Sequence, residues 1–257
     1  MKGPKLLIIL CFLIPAALAF SASEKDIFRS ASDFYEKGDY KAAIKEYKRI
    51  LDMGYESGNL YYNLGNSYFK DGRPGKAVLN YKRAENLMPR DGDLESNYKH
   101  VLSLLEHAPP AKPKILPLRL FDRLVLSFTV NELAIFLSFA FFLSIAMVLI
   151  HLYLNRIKRY FLAVLAGILI LFTLGASLAA SKLSRIGREA VIVSEGADSK
   201  FEPFERATTH FKLYEGATIF ILDSKPPWCK VKRPDGKIGW VESSALERVN
   251  PEMKKAL

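Results

Sequence analysis

Donor-rich side chains recur in one helical phase through the first hundred residues: Lys25 and Arg29, then Tyr62, Asn63, Asn66 and Lys70, then Asn97 and His100. Amide and basic groups of this kind suit an extended peptide backbone or a terminal carboxylate, both of which need hydrogen-bond donors. The basic pair of a full carboxylate clamp is incomplete, and Asn63 and Asn66 read equally as solubilising residues. Catalytic patterns are missing. There is no H-E-x-x-H, no G-x-S-x-G, no phosphate-cradling Gly-Lys-Ser loop and no Rossmann glycine string. His100, His107, His151 and His210 are scattered, and the two cysteines, Cys11 and Cys229, exclude a disulfide scaffold and a cysteine-ligated zinc site. The reading is of a binding protein, without catalytic residues, cofactor or metal.

These donors need elements to hold them, and the chain supplies a repeat. Residues 24–91 recur with a period of 34: Gly38 maps to Gly72, Ala43 to Ala77, Tyr47 to Tyr81, Phe34 to Tyr68 and Ala31 to Gly65. The second copy, with Tyr61, Leu64-Gly65, Tyr68, Ala77, Tyr81, Ala84 and Pro89, resembles the tetratricopeptide (TPR) pattern of paired helices. Small Gly65 and Ala77 let two helices cross closely, Tyr68 and Tyr81 fill the space beside them, and the glycines turn the chain. The copies span 24–57 and 58–91. A capping helix is expected over 91–107, with Leu94, Tyr98, Val101, Leu102 and Leu105 on one stripe. Two repeats and a cap make a short solenoid, expected to lean on a partner or a second copy. Its inner face is the groove to which the eight donor residues belong.

Of 257 residues, 50% are hydrophobic, but charge-free runs concentrate at 6–23, 133–154 and 160–181. Lys2 and Lys5, the apolar stretch from Leu6 to Ile14 and Ala17-Leu18-Ala19 have the order of a secretory signal, residues 1–19. Residues 108–132 form a proline-rich linker and a segment lying in the membrane interface, interrupted by Pro117, Arg119, Asp122 and Arg123. Residues 133–154 and 160–181 are each long enough to cross about 30 Å of hydrocarbon, joined by a basic loop, 155–159. An exported start and two spans place both flanking domains outside the cytoplasmic (inner) membrane. No Asp, Glu, Lys or Arg lies mid-span, which argues against transport. The net charge of +10 fits this plan: basic and acidic groups cancel over 24–107, but 7 face 2 over 108–181. Excess beside apolar runs meets lipid headgroups, and no folded basic face is left for nucleic acid.

From Ala190 the sequence turns to short β-rich runs: 190–193, 217–222, 228–232 and 238–241, with Asp235-Gly236 as a hairpin turn. Glu215-Gly216, Trp228, Val231, Gly239-Trp240-Val241 and Leu246 resemble the bacterial SH3-like domain, here over residues 187–249, before a tail at 250–257. The resemblance implies a small barrel in which a long loop, Glu195 to His210, borders a ligand groove. Phe201, Phe204 and Trp228 are its candidate residues, and Trp240 is expected to pack inward.

The whole order of parts resembles BatE-type proteins of the Bat aerotolerance operon. The strings Tyr62-Asn63-Leu64-Gly65-Asn66-Ser67-Tyr68, Gly75-Lys76-Ala77-Val78-Leu79-Asn80-Tyr81 and Asn131-Glu132-Leu133-Ala134 carry that resemblance. The expected fold is a multi-domain membrane protein: an all-α TPR solenoid, a two-helix transmembrane hairpin and an all-β SH3-like barrel. The resemblance implies an assembly factor for oxidative or envelope stress, working with Bat proteins that carry von Willebrand A domains and with a MoxR-type ATPase. The alternative is a sensor whose SH3-like domain binds peptidoglycan.

Overall fold

The computed structural model describes residues 24–105, 115–153 and 158–250. The expected signal segment, most of the proline-rich linker, the turn between the two apolar helices and the tail after Asn250 lie outside the described residues.

The first domain is a stack of five helices: α1 (24–36), α2 (Tyr40–Asp52), α3 (Gly58–Lys70), α4 (Pro74–Leu87) and α5 (Gly92–Leu104). Their starts are set by short polar side chains. Asp39, Ser57 and Asp91 accept hydrogen bonds from the backbone N–H of Ala42, Leu60 and Leu94 at 3.0, 3.1 and 2.8 Å, and Pro74 opens α4, where its missing N–H costs nothing. Gly38 and Gly72, at φ +79° and +77°, make the turns between paired helices, a backbone region other residues rarely adopt. Inside the stack, Ala43, Tyr47, Leu64, Ala77, Tyr81 and Ala84 are buried. Gly65 is small of necessity, since a Cβ there would lie 2.7 Å from the Tyr81 ring.

Three further helices follow: α6 (Leu116–Ser127), α7 (Val130–Tyr153) and α8 (Lys158–Arg188). A capping box starts α7. The backbone N–H of Thr129 donates to Glu132 Oε2 at 2.9 Å, and that of Glu132 donates to Thr129 Oγ1 at 3.1 Å. The helices of this pair pack along Gly175, whose missing Cβ would stand 2.8 Å from the Phe136 ring, whereas Gly167 faces open space. Residues 130–152 and 161–188 are each long and apolar enough to cross a membrane, with only 11% and 17% of their most apolar stretches buried within the protein. A core helix of a soluble protein would be mostly buried. The second charge-free run ends at Ser181, yet α8 continues through Lys182 and Arg185 to Arg188 and leads directly into the first strand. In this last part of α8 Lys182 is buried and Arg185 approaches Glu189 at 3.9 Å.

The last domain is one antiparallel sheet of β1 (Glu189–Ile192), β2 (Gly196–Lys200), β3 (Thr209–Tyr214), β4 (Thr218–Lys225), β5 (Trp228–Lys232), β6 (Ile238–Glu242) and β7 (Leu246–Arg248), in the order β3-β2-β6-β5-β4-β1-β7. The sheet is open: no ladder joins β3 to β7 among the described residues. It curls enough for Ala190, Leu213, Ile221, Val231, Val241 and Leu246 to share one core. The long loop expected from Glu195 to His210 is instead strand β2, a short connection and the start of β3. Its sequence, Gly-Ala-Asp-Ser-Lys, has no strand signal, and pairing with β3 and β6 makes it a strand. Trp240 is buried but does not join that core. It is paired with Lys200 and Lys230 across the sheet, so it lies on their face, covered by the ammonium groups of Lys225 and Lys230 at 5.6 and 5.8 Å. Cys229, on the opposite face from Trp228, is inside the core.

The β5–β6 turn is held by a buried fork. Arg233 donates to both carboxylate oxygens of Asp235, through Nε at 3.0 Å and through Nη2, and the N–H of Lys237 adds a bond at 3.2 Å. The Arg233 bonds above all hold the Asp235 carboxyl at about 2, below the usual carboxylate range. A depressed folded value means that the stabilisation is present above the unfolded pKa of about 4 and lost as pH falls toward about 2. Asp235→Asn should therefore cost on the order of 1 kcal/mol at neutral pH and flatten the acid limb of the stability curve between about pH 4 and 2. Acid denaturation of both proteins checks this.

Strand β1 joins the two folded domains, and its period of two explains how. Ala190 and Ile192 enter the sheet's core, while Val191, with Val193 and Val249, packs into the helical core of the repeats. The short solenoid thus leans on a later part of its own chain. Polar contacts rim the seam. The N–H of Gly75 donates to Glu215 Oε1 at 2.8 Å, Arg83 donates to the carbonyls of Val249 and Arg248 at 3.0 and 3.1 Å, and Lys76 pairs with Glu247. Gly75 must be small, because a Cβ would sit 2.7 Å from Glu215 and 3.0 Å from the carbonyl of Ile192.

Candidate functional site

The candidate groove is carried by alternate helices. Lys25 and Arg29 belong to α1, Tyr62, Asn63, Asn66 and Lys70 to α3, and Asn97 and His100 to α5. The structure joins part of this set into one network. Asn66 Oδ1 accepts from the Tyr81 hydroxyl at 2.7 Å and from Asn97 Nδ2 at 3.2 Å, and Asn97 Nδ2 also donates to the Tyr62 hydroxyl at 2.7 Å. With its oxygen doubly engaged, Asn66 keeps its Nδ2 without a partner among the described residues, while Asn97 keeps its Oδ1. That pair offers one donor and one acceptor, the complement of a peptide group.

Aromatic rings frame the network. Tyr62 lies 6.2 Å from Tyr81, and Tyr81 lies 6.3 Å from Tyr98. Phe69 meets His100 edge to face at 5.8 Å. Burial pushes the Tyr81 phenol well above its ordinary range, with Tyr62 and Tyr35 adding to the effect, so it stays a protonated donor to Asn66 at physiological pH. Tyr35 is likewise pushed up, by burial first and then by Tyr40 and Tyr62. Tyr81 is the residue that spacing alone did not assign to the groove. Tyr81 was legible only as a core filler, because its hydroxyl reaches Asn66 across the helix crossing.

Other expected residues stand apart. Lys25, Arg29 and Lys70 are exposed and form no ion pair among the described residues. Asn63 is half-buried, and its carbonyl accepts from Ser67 Oγ at 2.8 Å. In the sheet domain, Phe201 is exposed and stacks on His210 at 4.2 Å, and Phe204 is exposed nearby. Trp228 is not with them. It is buried beneath Lys200, whose ammonium stands 5.2 Å over the ring, beside a cavity of about 420 Å³ lined by Asp198, Glu205, Glu242 and Ser244. The three aromatics therefore do not form one surface. Among the described residues no group of His, Cys, Asp and Glu is placed to hold a metal ion, and Cys229 Sγ lies 3.3 Å from Ser243 Oγ, without a basic neighbour in contact.

The helix pair that carries the Asn66 network is the decisive element for comparison. Residues 58–91 match the tetratricopeptide repeat family. The match covers α3, the Gly72 turn and α4. The repeat therefore contains Tyr62, Asn63, Asn66, Lys70 and Tyr81, and Asn97 reaches it from the next helix. No curated protein matches the chain.

Proposed function

We propose that this protein is a membrane-held scaffold for protein–protein interaction whose TPR groove grips an extended segment of a partner. The observation that carries the proposal is the Asn66–Asn97 pair, a donor and an acceptor fixed by two tyrosine hydroxyls, with Asn66 in the TPR repeat and Asn97 on the helix that follows it. Such a pair engages backbone and tolerates many sequences. The exposed cations Lys25, Arg29 and Lys70 add attraction for acidic side chains or a chain terminus.

In this reading α7 and α8 cross the cytoplasmic membrane and both folded domains lie outside it. Support comes from the bare apolar surface of the pair and from the seam between the domains, since domains that touch must lie on one side and two crossings return the chain there. The sheet domain is read as an SH3-like module whose open edges stop short of a barrel. Its docked face braces the repeats. The likeness of the order of parts to BatE-type proteins suggests partners with von Willebrand A domains and a MoxR-type ATPase system.

A test uses the full chain purified in detergent from cells after mild cross-linking. Asn66→Ala/Asn97→Ala removes the two hydrogen bonds offered to the partner, each worth about 1 kcal/mol, along with the three that hold the pair in place, so recovery of the specific partner should fall by about tenfold or more with the helical circular dichroism unchanged. Recovery of the same proteins in the same amounts would exclude the groove. The second reading, peptidoglycan binding through the sheet domain, rests on the cavity beside Trp228. Co-sedimentation of the full chain in detergent with isolated cell wall would support it.

A further inference from the structure

Helix α6 carries more apolar surface than the protein covers. Its twelve residues place Leu116, Leu120 and Leu124 one above another at i, i+4 and i+8. These leucines are 66%, 49% and 42% exposed. The adjoining side of the same apolar arc is used: Val125 is buried and, with Phe121, packs against Leu133, Leu178 and Ala179 at the start of α7 and near the end of α8. Arg119, Asp122 and Arg123 lie on the remaining side, together with Leu118, which is 53% exposed beside the covered face.

Position decides what covers the leucines. Only Phe128 and Thr129 separate α6 from α7, a link of at most about 11 Å, so the end of α6 stays close to the level at which α7 begins. Its last carbonyl is tied from above, where Arg90 at the end of the repeats donates to the Ser127 carbonyl at 2.8 Å and pairs with Glu132. On α7, too, the apolar surface is bare: Phe136 and Phe139 are 41% and 67% exposed.

We infer that α6 lies in the plane of the bilayer surface, with Leu116, Leu120 and Leu124 immersed in the acyl boundary and Arg119 and Arg123 at headgroup level. It would act as a foot that, through Arg90, sets the angle of the TPR groove over the membrane. The inference rests on α7 and α8 spanning that membrane.

The experiment uses the full chain carrying Cys11→Ser, with Cys229 buried, reconstituted in phosphatidylcholine–phosphatidylglycerol vesicles. Nitroxides are attached at Leu120→Cys and, as reference, at Phe139→Cys, with the unmodified background as blank. The expected result is that both sites collide severalfold more often with oxygen than with a water-soluble nickel chelate, Phe139 more strongly. If Phe139 reads lipid while Leu120 reads water, the foot is wrong and the spanning pair stands. If Leu120 is shielded from both reagents and shows dipolar broadening, a second copy covers the stripe and the inference fails. If Phe139 itself reads water, the spanning pair and the foot fail together.

Discussion

Replacing Glu189 by glutamine is expected to destabilise the folded protein by about 2–4 kcal/mol, short of the full cost of a buried charge left without any partner because Lys82 keeps Glu85. Glu189 opens β1 and is 3% exposed. Its carboxylate lies 3.5 Å from Lys82 Nζ on α4 and 3.9 Å from Arg185 on α8, so a single group ties repeat, apolar pair and sheet together. Lys82 is buried too, and Lys182 is 1% exposed nearby on α8. With Glu189 neutral, Glu85, 2.6 Å from Lys82, is the remaining carboxylate paired with this buried lysine. Burial alone would push the Lys82 ammonium down, but Tyr98, Glu189 and Glu85 together hold it above its ordinary range. A raised folded value means that the stabilisation is complete below the unfolded pKa of about 10.4 and lost only as strong alkali titrates the amine. Chemical denaturation in detergent at neutral pH reads the effect. Lys82→Met added to Glu189→Gln should recover much of the loss, because it removes a buried cation that has kept only one of its two carboxylates. A single variant as stable as the parent would mean that the cluster is not what fastens the domains.

Gly65→Val has the second largest expected effect. In an open helix, replacing glycine gains up to about 1 kcal/mol from backbone entropy. Here the sign reverses. The new Cβ would stand 2.7 Å from the ring of Tyr81, which is 1% exposed, with the Ala77 carbonyl 3.4 Å on the other side. The ring cannot give way without breaking its bond to Asn66. Overpacking of this kind costs about 1–3 kcal/mol, and the same displacement should dismantle the groove, so partner recovery falls with stability. Gly92→Ala is the control, since nothing lies within 4 Å of its position. It should be neutral or slightly stabilising. If the two substitutions shift the thermal unfolding midpoint equally, the close crossing of α3 and α4 is not formed as described.

What was legible in the sequence followed from local rules. The period of 34 exposes itself because Gly38 and Gly72 must each turn the chain, and because Ala43 and Ala77, and Tyr47 and Tyr81, meet the same packing twice. The apolar pair was legible from run length, and the β5–β6 hairpin from Asp235-Gly236. Long-range effects were not. β2 has no strand-forming composition and exists through its neighbours. The continuation of α8 past Ser181 buries Lys182 and brings Arg185 beside Glu189, neither of which the end of a charge-free run reveals. Trp240 looked like core because strand aromatics usually pack inward, but lysines cover it on the outer face. The seam between the domains was invisible for the same reason. Val191 reads as an ordinary strand residue, and only three dimensions show that alternate positions of β1 serve two cores. At the groove, residue types were legible but partners were not. Asn66 and Asn97 are 31 positions apart, and no spacing rule reveals their bond.

The central claim is that the repeats and the sheet domain share the outer face of one bilayer, and alkaline phosphatase fusions test it most directly. Fused after Leu257, the enzyme should be active, and fused at Ile157 between the two apolar helices it should be silent. Activity at Ile157 with silence at Leu257 would contradict the account.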